Sequence, residues 1–270
     1  VRVRLGEGPE TAAEFPVTAE LRDEGYTDYI ALPMPFSDGS VKAVTFATKA
    51  PAGFTRTHIS VFESIVRPLG LVCELKTLRR TAETVLDTYV GPRAGSKVLD
   101  GTTRRGQGET IKAGVSFADI RGFTRLSNTL PADMIVSFLN KYFGAMTAAV
   151  EAHGGEVLKF IGDEVMAIFP YETEEEARDA ARRALLATRE TLKRIETMNT
   201  NNTCAVTPDL SVGIALHAGD VFYGNVGSET RLDFTVVGPD VNLAARIAEL
   251  AKDLHREVLV SDALSGILGC

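Results

Sequence analysis

Two aspartates raise the question of chemistry: Asp119, at the end of the apolar run IKAGVSFADI (111–120), and Asp163, inside KFIGDEVMAIF (159–169). Asp163 follows Gly162 at a tight turn between two apolar runs, with Glu164 beside it. Taken singly, Asp119 is a polar strand end and Asp163 a turn former. Brought together at one sheet edge, they make a site for a hard cation. Mg²⁺ takes oxygen ligands, often one or two carboxylates completed by substrate phosphates. Two such ions, about 3.5–4 Å apart, activate an attacking oxygen and stabilise a leaving one. The adjoining Arg121-Gly122-Phe123-Thr124 offers backbone N–H groups to phosphate oxygens.

The order of elements is what could bring the pair together. Residues 111–120 read as a largely buried strand. PADMIVSFLNKYFGAMTAAVEAHGG (131–155) reads as a helix, with Pro131 at its start, a face of Ile135, Phe138, Leu139, Phe143, Met146 and Val150, and a glycine pair at its end. VLKFI and EVMAIF form a hairpin around Gly162-Asp163. Residues 172–198 predict a second long helix, acidic first and basic later, matching the helix dipole. LSVGIALHAG (210–219) and EVLV (257–260) read as strands, with a helix over about 240–253 between them. This is an α+β chain in the ferredoxin-like order βαββαβ, in which the first strand lies beside the hairpin.

Residues 1–73 predict a smaller α/β segment: a strand in IALPMPF (30–36), a turn in SDGS (37–40) and an alternating strand in VKAVTFAT (41–48). Helical spacing follows over 53–75, where Pro68 should kink or end the helix. ELKTLRRTAETVLDTY (74–89) carries Leu75, Leu78, Ala82, Val85, Leu86 and Tyr89 at helical intervals. It predicts a connecting helix able to pair with a copy of itself. The Gly- and Thr-rich stretch 91–110 reads as a connector. The expected domains are thus 1–73, a linker over 74–110, and 111–270.

Composition narrows the partners. Hydrophobic content of 44% and charged content of 24% fit a soluble globular protein, and a net charge of −7 argues against nucleic acid or an anionic membrane as a general partner. The three cysteines, Cys73, Cys204 and Cys270, form no CxxC pair, which argues against zinc or a disulfide framework and suits a reducing cytoplasm. No apolar run approaches the roughly 18–20 residues that span a bilayer. The chain starts at Val1 without Met and is expected to be a piece of a longer protein.

FADIRGFT (117–124), KFIGDEVMAIF (159–169), HAGDVFYGNVGS (217–228) and FTVVGPDVNLAARI (234–247) resemble, in order and spacing, the successive signatures of class III nucleotide cyclase domains. The resemblance covers roughly residues 111–268. It implies that Asp119 and Asp163, with the Ile120 carbonyl, hold two Mg²⁺ or Mn²⁺ ions per site, and that Gly122, Phe123 and Thr124 face the phosphates. It places Lys159 and Thr235 at the purine-reading positions, and Asn242 and Arg246 where the ribose is oriented and the transition state stabilised. A lysine donates to adenine N1, and a threonine hydroxyl accepts from the adenine amino group, so the pair favours ATP over GTP. On its own, Lys159 reads as a solvated charge on a strand. The resemblance further implies a homodimer with sites shared between subunits, in the cytoplasm.

His217 and His153 read as structural, and Glu164 as a solvated or fold-stabilising carboxylate on the face opposite its neighbour. Departures from the family pattern are Pro239, Asp220 where some cyclases carry a phosphate-binding arginine, and an end at Cys270 before the closing strand. Residues up to about 73 resemble the second half of a GAF-type sensor domain, which implies a regulatory role; an unspecified α/β module is the other reading. Two alternatives to an adenylate cyclase stay open. One is a non-catalytic nucleotide-binding module with a cyclase fold. The other is a diguanylate cyclase, although Gly154-Gly155 and Gly162-Asp163-Glu164 are separated here.

Overall fold

The computed structural model describes residues 1–5, 16–201 and 209–269. Cys204 and Cys270 lie outside the described residues, and Cys73 is a free thiol. The chain forms two compact units, Val1–Ala82 and Glu83–Cys270.

In the first unit, β1 (Arg2–Arg4), β2 (Asp28–Pro35) and β3 (Val41–Thr48) form an antiparallel sheet in that order, and α1 (Pro16–Asp23) precedes β2. The expected hairpin joins β2 and β3. A long helix, α2 (Arg56–Val90), starts here and seats Phe62 on Phe46 with ring centroids 4.0 Å apart. It continues through Pro68, which does not end it. The proline removes one N–H from the ladder. However, Val66 and Gly70 on either side are buried, and a Cβ at Gly70 would come within 3.0 Å of the Met34 side chain. Close packing on β2 outweighs the single lost bond.

The second unit begins within α2 and continues with α3 (Pro92–Leu99), inside the stretch expected to be a connector. Proline at the first helical turn is a favourable start. Val90, Ala94 and Val98 share one face that joins the core, which glycine and threonine content alone disguises. The elements that follow are β4 (Gly108–Ile120), α4 (Phe123–Ser127), α5 (Ala132–Ala152), β5 (Glu156–Ile161), β6 (Glu164–Tyr171), α6 (Glu174–Thr200), β7 (Val212–Gly227), β8 (Leu232–Val237), α7 (Pro239–Asp253), β9 (Val258–Val260) and α8 (Asp262–Leu268). The strand order is β5-β6-β4-β7-β8, with β9 parallel to β7. Its central part is the ferredoxin-like arrangement, with β4 between β6 and β7.

Alternation along the strands divides the core into two layers. Ala118, Ile120, Val165, Ala167 and Phe169 pack under α5 and α6. Val115, Phe117, Met166, Ile168, Phe234 and Val236 pack under α3 and α7. A capping box between Thr173 and Glu176 opens α6, whose first turn is acidic as the helix dipole favours.

Besides α3, the short helix α4, the length of β7, the strand β8 and the helix α8 were not anticipated. The strand expected to end at Gly219 runs on through Gly224. A Cβ at Gly219 would collide with Asp240, and one at Gly224 with the backbone of Gln107 and Gly108. Glycine within a strand here marks close approach of neighbours, not a turn. His217 is buried, with Nδ1 at 2.9 Å from Ser261 Oγ and Nε2 at 3.2 Å from Asp240 Oδ1, so it ties β7 to the starts of α7 and α8.

Candidate active site

Asp119 stands one residue before the end of β4, and Asp163 follows Gly162 in the β5–β6 turn. Gly162 has φ 65°, the left-handed geometry that glycine adopts without steric cost. Because β4 pairs with β6, with Ala118 opposite Val165, the two aspartates meet at one end of the sheet. The Ile120 N–H donates to Asp163 Oδ2 at 3.1 Å and fixes that carboxylate. Burial pushes the Asp163 carboxyl above the usual range, against this hydrogen bond, and the nearby Asp119 charge adds to the push.

The donor chemistry suits a hard cation. Asp119 Oδ1 is buried without a hydrogen-bond partner, a costly state for a carboxylate oxygen unless a ligand completes it. Its other oxygen, Oδ2, accepts from the Lys252 ammonium at 2.9 Å, so a cation already favours this carboxylate. Among the described residues no three His, Cys, Asp or Glu side chains form a complete cage. Two carboxylates plus substrate oxygens is the arrangement Mg²⁺ favours. Next to them Gly122, at φ 71°, opens the short helix α4. Phe123 and Thr124 occupy its first turn, where N–H groups lack intrahelical partners.

Elsewhere on the sheet, Lys159 reaches from β5 to β8. There its ammonium pairs closely with Asp233. Two residues on, and hence on the same face of β8, Thr235 is buried with its Oγ1 unpaired. Lys159, Asp233 and Phe234 line a cleft of about 650 Å³, together with residues of α3 and the start of β5. Asn242 and Arg246 lie one turn apart on α7, and both are exposed. The structure thus places the residues predicted from sequence in three regions: Asp119, Ile120, Asp163 and the 122–124 turn; Lys159 on β5, tied to the strand β8 that carries Thr235; and the α7 pair.

Comparison with known proteins gives this arrangement a family. The family model for the adenylate and guanylate cyclase catalytic domain matches residues 107–269. The chain belongs to this cyclase family. An adenylate cyclase of Anabaena cylindrica is 34% identical over 168 residues, covering 61% of this chain and 32% of the relative. The chain thus spans about a third of the length of the curated relatives it matches. Among solved structures, a bacterial light-regulated adenylyl cyclase aligns with a TM-score of 0.60 at 30% identity, covering 75% of this chain and 57% of that one. The guanylyl cyclase Cya2 aligns with a TM-score of 0.53, also at 30% identity, over 60% of this chain and 81% of that one.

Three residues of the cyclase domain escaped the sequence reading. Asp233 is the carboxylate that holds Lys159, and Lys252 is the ammonium on Asp119. Glu164, expected to be solvated on the opposite face, is partly buried on the layer that also holds Asp119. Its carboxyl is pushed up by burial first, then by the charges of Asp119 and Asp163. Strand alternation could have shown this: Glu164 shares parity with Met166 and Ile168, as Asp119 does with Phe117 and Val115. Asp163 belongs to the turn, so it is not the neighbour from which to count.

Proposed function

We propose that the chain is an adenylate cyclase, converting ATP into 3′,5′-cyclic AMP and pyrophosphate. The observation that carries the choice of base is that Lys159 pairs with Asp233, two residues along β8 from the buried, unpaired Thr235 hydroxyl. A lysine ammonium can only donate, and adenine N1 is an acceptor where guanine N1 carries a hydrogen. The Thr235 hydroxyl then accepts from the adenine amino group.

Asp119 and Asp163, with the Ile120 carbonyl, would hold two Mg²⁺ or Mn²⁺ ions, which when bound supply Lewis-acid activation of the attacking and leaving oxygens. The chain's own residues do the rest. N–H groups of the 122–124 turn face the phosphates, and Asn242 orients the ribose so that its 3′-oxygen lies in line with the α-phosphorus. As the new P–O bond forms and pyrophosphate departs, Arg246 spreads its guanidinium over the developing charge. The 3′-hydroxyl proton leaves to solvent or to the phosphate chain. No side-chain nucleophile takes part.

In this reading two copies of the chain share each site, Asp119 and Asp163 coming from one and Lys159, Thr235, Asn242 and Arg246 from the other. Exposed Phe160, Ile161, Val237 and Leu243 on the catalytic unit supply apolar area for such a contact. The first unit acts as a GAF-like regulatory module in the cytoplasm, connected through α2. Among the described residues no helix is long and apolar enough to cross a membrane. A product assay with Mn²⁺ and either ATP or GTP tests the proposal: cyclic AMP should dominate, and absence of any cyclic nucleotide from the dimer would overturn it. Lys159→Glu should lower the preference for ATP.

A further inference from the structure

Lys252 has no part in the chemistry above, yet it sits on a residue central to it. Its Nζ lies 2.9 Å from Asp119 Oδ2, and the two side chains differ in exposure, 56% for the lysine against 16% for the aspartate. The ammonium reaches in from solvent onto a carboxylate largely withdrawn from it. Asp119, Asp163 and Glu164 crowd negative charge into this corner, and Lys252 is positioned to offset part of it.

The position of Lys252 is built rather than incidental. It occupies the last turn of α7, where the helix dipole favours a cation. Arg121, next to the end of β4, clamps that turn with bonds from Nη2 to the Ala251 carbonyl at 2.9 Å and the Arg256 carbonyl at 2.5 Å. Room for the clamp comes from Gly213 on β7, where a Cβ would lie 2.5 Å from the Arg121 guanidinium. A side chain there would force the Arg121 guanidinium to shift from this position.

We infer that Lys252 is an internal counter-ion on Asp119 that opposes a divalent ion approaching the same carboxylate through its free Oδ1, so that this lysine sets the protein's metal affinity. The inference rests on the proposed role of Asp119 as a metal ligand. An ammonium on one oxygen and a divalent ion on the other oxygen of the same carboxylate repel each other at close range. The lysine is more than half exposed, so it can swing into water and regain hydration when an ion binds. An ordinary surface ion pair would leave metal affinity unchanged, and this separates the two cases.

The test is a titration of the full chain with Mn²⁺ in the absence of nucleotide, following free ion by electron paramagnetic resonance. Lys252→Met should tighten Mn²⁺ binding by about three- to tenfold, the range expected for removing a partly exposed competing charge. Lys252→Arg keeps the counter-ion and should stay close to the unsubstituted chain. In an Asp119→Asn background the gain from Lys252→Met should vanish. Equal or weaker binding in Lys252→Met, with binding lost in Asp119→Asn, overturns the counter-ion role alone. Undiminished binding in Asp119→Asn overturns the assignment of Asp119 as a ligand, and the inference with it.

Discussion

Asp28 in the first unit and Asp119 in the catalytic unit are both aspartates drawn into the protein at the end of a strand, and they are treated in opposite ways. Asp28 is fully buried and saturated: Arg2 Nη2 donates to Oδ2 at 2.5 Å, Arg2 Nε to Oδ1 at 3.2 Å, and the Phe54 N–H to Oδ2 at 2.7 Å. Burial alone would push its carboxyl up, but these bonds and the Arg2 and Arg4 charges hold it below the usual range. Asp119 keeps one oxygen buried and unpaired, and its other partner is an exposed lysine. A buried charge with every lone pair used is architecture, and one with a lone pair left over is held ready for a ligand.

The sharpest way to break this contrast is to neutralise each carboxylate. Asp119→Asn should lower cyclase turnover by about a thousandfold, the scale of removing a group that stabilises transition-state charge, with little change in melting temperature. If turnover survives, the unpaired oxygen has no catalytic meaning. Asp28→Asn should do the reverse, destabilising the first unit by about 2 kcal/mol because the Arg2 and Phe54 donors lose a buried, charged acceptor. Urea unfolding would show it, and a loss no larger than that of an ordinary surface substitution would remove the contrast.

Smaller effects follow from pH, with opposite signs. The Asp28 carboxyl is depressed in the folded chain, so its contribution is present above the ordinary aspartate range and is lost as pH falls through the lower folded value. Glu164 is raised, so the folded chain keeps its proton to higher pH than the unfolded chain, and stability falls as pH climbs through that window. Glu164→Gln should therefore stabilise by up to about 1 kcal/mol at pH 7 and by nothing at pH 4. Unfolding curves at the two pH values read this directly, and an equal effect at both would exclude the electrostatic cause.

Much of the catalytic unit was legible because its signals are local and periodic. Pro131, the apolar face from Ile135 to Val150 and the glycine pair delimit α5, and the Gly162 turn delimits the hairpin. Glycine inside a strand was less legible where its cause was non-local. The strand expected to end at Gly219 runs on because Asp240, Gln107 and Gly108 press against Gly219 and Gly224, where no side chain fits. Pro68 does not end α2 because the helix around it packs on Met34, a contact the helix's own residues do not announce.

By itself the sequence determined the central βαββαβ order, the two aspartates with their glycine turn, and the i,i+4 spacing of Asn242 and Arg246. Each is a matter of residue type and short-range period, whereas the pairing of Lys159 with Thr235 was implied only by the family resemblance. Only the tertiary structure decided which charges meet: Lys159 with Asp233, and Lys252 with Asp119 across 133 positions of chain. It also put Glu164 on the Asp119 face and left Asp119 Oδ1 and Thr235 Oγ1 without partners. Strand pairing sets such meetings. A residue's side of the sheet can be read by counting along its own strand, but its neighbour depends on which strand lies alongside and in what register.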